Sequence, residues 1–175
     1  MSDPPSAAQR RPEGERRFRQ VAVIGAGDCE QGSEVALLAE EVGRRLAEAG
    51  VTVVSGGLGG VMEAVSRGAA GAGGEAIGVV PGVSVEDANP YCTHVVASAI
   101  GYARNLAVVA SGDAVIAVGG EWGTLSEIGH ARTFGKTVIA LRSWGLTGRD
   151  QMEGTPGVVP VDTAEQAVAA ALAAI

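Results

Sequence analysis

Short apolar runs alternate with helical patterns along nearly the whole chain, and that alternation leaves few folds open. Residues 20–24 (QVAVI) read as a strand and 33–49 as a helix whose apolar face carries Val35, Leu38, Val42 and Leu46. Strands follow at 51–54, 76–80, 94–97, 113–118, 137–141 and 158–161, with helices at 60–72, 101–111, 124–134 and 164–174. Polar connections are expected at 81–93 and 142–156. The strands are continuous apolar runs rather than alternating ones, so they are expected to be buried on both faces. The chain is therefore expected to be an α/β protein with one doubly wound, mostly parallel, Rossmann-like sheet and helices on both faces. At 175 residues it fits one domain. Hydrophobic residues make up 46% and aromatics only 3%, so Val, Ala, Leu and Ile must build the core.

Residues 1–19 form a basic leader that cannot bury enough apolar surface to offset its ordering entropy, and it is expected to be disordered. The folded domain then spans 20–175. Five of the thirteen Lys and Arg and three of the twenty acids fall in the leader, leaving eight against seventeen in the domain. A domain that acidic lacks the electrostatic footprint of a nucleic-acid binder. No apolar run approaches the about 18 residues of a membrane span, and the leader has no apolar signal core. Cys29 and Cys92 lie far apart without metal-ligand spacing, which favours reduced thiols and a cytoplasmic setting. His94 and His130 read as structural, and no metal site is expected.

Three of the strands end in glycine turns: Gly25-Ala-Gly27, Gly56-Gly57-Leu-Gly59-Gly60, and Gly119-Gly120-Glu-Trp-Gly123-Thr124. Parallel strands bring their carboxyl ends to one edge, where α/β sheets bind ligands. Unobstructed amides at helix N-termini attract phosphate, so these glycines and Thr124 are candidate phosphate-binding residues. Met62 and Trp122 are further candidates to line the pocket, although a lone Met is more often packing. Two familiar nucleotide motifs fail. A dinucleotide fingerprint needs glycine where Glu30 stands and a ribose-binding acid where Ser55 stands. Gly135-Lys136-Thr137 copies the tail of a P-loop, but it leaves a helix and enters a strand, and His130 replaces the first glycine.

The stretch Gly119-Gly120-Glu121-Trp122-Gly123-Thr124-Leu125-Ser126-Glu127 resembles the PGGxGTxxE signature of the Lonely Guy (LOG) phosphoribohydrolases, a superfamily often labelled "lysine decarboxylase". Residues 55–64 (SGGLGGVMEA) resemble its second glycine loop, and Tyr102-Ala103-Arg104-Asn105 falls where it carries its active-site arginine. The wording VGGEWGTLSEI and the short chain are similar to a sister branch that includes molybdenum-cofactor carrier proteins. Gly119 stands where the enzymes have Pro, and Glu121 where they have their second Gly; a carboxylate there repels phosphate if it points inward.

The resemblance implies Arg104 and Glu127 as a catalytic pair. A carboxylate can stabilise the charge that builds on a sugar as an N-ribosyl bond breaks, and arginine grips phosphate bidentately. Other readings stay open at this point. Thr124-Leu-Ser-Glu127 is also a capping box, and Arg104 can be an exposed or salt-bridged arginine. Two functions follow: a binding protein for a phosphorylated pterin or nucleotide-like molecule, with molybdenum cofactor as its ligand and no required cofactor, or a nucleoside 5′-monophosphate phosphoribohydrolase. The resemblance also implies a homodimer or higher homo-oligomer, for which the sequence offers only the alanine-rich helices. A pyridoxal-phosphate decarboxylase is excluded, because the single lysine, Lys136, opens a strand far from the ligand edge.

Overall fold

A computed structural model of the protein describes residues 19–144 and 157–175. The expected leader, save Arg19, and most of the polar connection expected at 142–156 lie outside the described residues. Arg19 is exposed, and its carbonyl already accepts the Thr52 N–H at 3.0 Å.

Seven strands form one sheet: β1 (Gln20–Gly25), β2 (Thr52–Ser55), β3 (Ala76–Val80), β4 (His94–Ala97), β5 (Ala114–Val118), β6 (Val138–Leu141) and β7 (Val158–Val161). Their order is β4-β3-β2-β1-β5-β6-β7, and every neighbouring pair is parallel. The chain winds outward from β1 in one direction, returns to its other side at β5, and winds outward again. The strand order thus reverses between β1 and β5, where Gly25 pairs in register with Val118.

Among the described residues, five α-helices cover the sheet: α1 (Glu34–Glu48), α2 (Val61–Gly71), α3 (Arg104–Ser111), α4 (Trp122–Thr133) and α5 (Ala164–Ala173). Strand periodicity divides the core between the two faces. Val21, Val23, Ile116, Ile139 and Leu141 pack beneath α1, α2 and α5. Ala22, Ile24, Val115, Ala117 and Val138 pack with Val108 and Val109 of α3 and Ile128 and Ala131 of α4. The largest fully buried side chains are Leu, Ile and Val, so a core almost without aromatics is filled by branched aliphatics.

Glycine sets the spacing of α1 against α2. A Cβ on Gly43 would collide with the Val65 carbonyl, and one on Gly68 with the Glu40 carbonyl. Each helix lays a bare backbone against the other, and this close approach offsets the helix-propensity cost of glycine. Arg67 of α2 then reaches Glu40 of α1 at 2.9 Å across the same contact. Caps fix the ends. Ser33 Oγ accepts the Ala36 N–H at 3.3 Å at the start of α1, and Thr163 and Gln166 form a reciprocal capping box on α5.

Two boundaries differ from the sequence expectation by more than one residue. Helix α4 begins at Trp122, with Glu121 as its N-cap residue, so Thr124 lies inside the first turn. The capping box expected from Thr124 and Glu127 is therefore not formed. Residues 101–103 form a short 3-10 turn ahead of α3, which starts only at Arg104; Gly101 at φ +58° lies outside the α-helical range.

Candidate functional site

The sequence order brings the first, second and third glycine loops to the carboxyl ends of β1, β2 and β5, around the point of strand reversal. The loops tie to each other by backbone: Val61 N–H donates to the Ala26 carbonyl at 2.9 Å. Ser55 is fully buried and accepts the Gly57 N–H at 3.2 Å, which folds the second loop back on its strand. Asn89 clamps the same loop from outside, donating its amide to the Leu58 carbonyl at 3.0 Å and its backbone N–H to the Gly57 carbonyl at 2.8 Å.

Between the loops lies a cleft of about 320 Å³. Gly25, Gly27, Gly56, Met62, Arg104, Gly123, Thr124 and Glu127 line it, joined by Ala26, Leu58, Tyr102, Asn105 and Glu121. Of the other candidates, Gly57, Gly59, Gly60, Gly119 and Gly120 belong to the same loops and Trp122 opens α4, but none of them is among the lining residues. Gly57, Gly60, Gly119 and Gly120 have φ between +56° and +114°, so they shape the turns that present their neighbours.

Arg104 is the first residue of α3, and its side chain is only 7% exposed. It is neither an exposed arginine nor one paired directly with a carboxylate among the described residues. Its guanidinium lies across Gly56, where any Cβ would collide with both terminal nitrogens. Nη1 donates to Asn105 Oδ1 at 2.7 Å and Nη2 approaches Met62 Sδ at 3.7 Å, while the buried Nε has no hydrogen-bond partner among the described residues. A buried cation with a spare donor is a standing demand for an anion. Burial pulls its pKa down, and Glu127 and Tyr102 push it back up.

Glu127 projects from the second turn of α4, 6% exposed. Burial raises its pKa to about 7, against the opposing pull of Arg104. Near neutrality such a carboxyl can hold or release a proton. Glu121 also lines the cleft but is exposed, and its side chain caps nothing. No three His, Cys, Asp or Glu side chains gather into a metal-binding set among the described residues. Lys136 donates to the Gly112 carbonyl at the amino-terminal end of the sheet, opposite the cleft.

Sequence reasoning missed Asn89 and Asn105 as parts of this arrangement, and flagged Glu121 only as a carboxylate that repels phosphate if it points inward. Asn105 stood beside the recognised arginine, and Asn89 carried no signal, since its role depends on β3 and β4 bringing its loop over the second glycine turn.

The comparisons agree with this fold. A molybdenum cofactor binding protein from Rippkaea orientalis superposes with a TM-score of 0.79 at 30% identity, covering 91% of this chain and 98% of that one. The molybdenum cofactor carrier protein of Chlamydomonas reinhardtii gives a TM-score of 0.78 at 26% identity, covering 90% and 98%. A rice protein named "Probable cytokinin riboside 5'-monophosphate phosphoribohydrolase" is 31% identical over 137 residues, 77% of this chain but 56% of the rice protein. The SLOG cluster4 family matches residues 18–168, and the chain belongs to that family.

Proposed function

We propose that the protein binds a phosphorylated, ring-bearing small molecule in this cleft, with a molybdenum-cofactor-type pterin phosphate as its cargo. The observation that carries the reading is Arg104, a buried guanidinium held over Gly56 with an unpartnered Nε, among glycine loops at the strand reversal. Arg104 and the amides of the Gly25–Gly27 and Gly56 turns would hold the phosphate. The two solved relatives are named for molybdenum cofactor, and this chain covers 98% of each. The test is binding without turnover: a pterin phosphate should bind wild type, with no release of base or ribose 5-phosphate from common nucleoside monophosphates.

A second reading, a phosphoribohydrolase, is favoured by one observation: Glu127 beside Arg104 with a pKa of about 7. An ionised Glu127 would stabilise an oxocarbenium ion as the N-ribosyl bond breaks, so turnover would rise as pH passes through about 7. Glu127→Gln should then remove most turnover and leave ground-state binding largely intact. Release of free base from any common nucleotide establishes this reading over the carrier.

We also infer that copies of the chain associate. The alanine face of α5 is spent on its own core through Ala164, Ala167 and Ala171, so it offers little free surface. Val83, Val96, Ile100 and Leu106 are instead exposed around β4 and α3. Sedimentation at micromolar concentration should show a dimer or larger; a monomer overturns the inference.

A further inference from the structure

The chain has two Trp, two Tyr and two Phe, and none of those described is in the core. One of them lines the cleft, and two flank the glycine loop that does. Tyr102 lines it and is 91% exposed. Trp122 is 74% exposed and sits between Glu121 and Gly123, both lining residues. Trp144 braces it, with ring centroids 5.3 Å apart, and its Nε1 donates to the Glu121 carbonyl at 3.2 Å. Trp144 packs against the core and holds Trp122 in place, while Trp122 and Tyr102 keep most of their own surface exposed beside the cleft.

The cleft is also polarised. Arg104 lies buried at its inner end, and the exposed Glu121 carboxylate lies at its rim beside Trp122. A phosphate is drawn to the first and repelled by the second. A phosphorylated ligand therefore enters with its phosphate inward and its other end among the rings.

We propose that Trp122 and Tyr102 form a ring subsite at the mouth of the cleft, stacking a planar heterocycle such as a purine or pterin, while Glu121 keeps the phosphate at the Arg104 end and accepts from ring N–H groups. This rests on the phosphate-binding reading of the cleft. Ring stacking is tolerant of the base but demands a flat face, so an aromatic replacement preserves it and an aliphatic one does not.

Calorimetric titration of the full chain with AMP, adenosine and ribose 5-phosphate separates the parts. AMP is expected to bind at least about tenfold tighter than ribose 5-phosphate, and to quench the fluorescence of a protein whose two tryptophans pack on each other beside the glycine loop of the cleft. Trp122→Ala and Tyr102→Ala are each expected to weaken AMP about tenfold and leave ribose 5-phosphate unchanged, with Trp122→Phe retaining most of the affinity. Equal affinity for AMP and ribose 5-phosphate in wild type overturns the ring subsite while the phosphate site stands. Adenosine binding as tightly as AMP keeps the ring subsite and overturns the phosphate reading; binding of none overturns both. A Trp122→Ala protein that loses self-association and binds AMP normally assigns the ring to an interface between copies and overturns the proposal.

Discussion

At the residue scale, two buried groups of opposite charge decide how the cleft behaves, and each gives a test. Glu127 has a folded-state pKa of about 7 against an ordinary 4.5, so the fold tolerates the protonated form better than the ionised one. As pH rises the unfolded chain ionises first, so stability falls between those values and the loss is complete above the higher one. Glu127→Gln is expected to unfold like wild type below pH 4.5, and to be more stable by about 3 kcal/mol above pH 7. Urea denaturation across that range checks it; a variant no more stable in alkali shows that Arg104 already neutralises the carboxylate. Gly56→Ala would push the Arg104 guanidinium off its seat, costing about 1–3 kcal/mol of stability and most of the anion affinity. Arg104 and Glu127 were legible as candidates only through a motif. The burial of Arg104 was not, because it depends on Gly56 from a loop and Met62 from a helix much earlier in the chain.

Elements were legible in proportion to the strength of their periodic signal. The strands at 76–80 and 94–97 fall where the apolar runs placed them, because short apolar runs are local, whereas the helix expected from 33 begins at Glu34 with Ser33 as its cap. Helix α4 was placed two residues late, since Thr124 and Glu127 copied a capping box while Gly120, at φ +114°, and extended Glu121 set the real start. The backbone contact of α1 with α2 could not be read from either helix alone. Gly68→Ala is expected to destabilise the fold by about 1–3 kcal/mol, although alanine is the better helix former by about 1 kcal/mol. Chemical denaturation measures it, and a stabilised variant would mean that the helices have room to separate.

For the whole molecule, the α/β alternation predicted the parallel sheet and its glycine edge, but the strand order comes from long-range pairing. The cleft exists because β5 returns to the far side of β1, so that loops distant in sequence meet around Arg104. No described helix is long and apolar enough to cross a membrane. A ligand that binds only the folded chain should stabilise it by mass action, about 2.7 kcal/mol at a hundredfold excess over Kd. Sulfate and phosphate should do so weakly and a phosphorylated ring compound strongly, in a thermal-shift series. The central claim is that this cleft selects its ligand by a phosphate held on Arg104. Calorimetric titration of wild type and Arg104→Ala with a pterin phosphate and its dephosphorylated form tests that most directly. The account predicts that wild type prefers the phosphorylated form, and that Arg104→Ala binds it at least about tenfold more weakly with the preference gone. Equal affinity of wild type and Arg104→Ala for the phosphorylated form would contradict it.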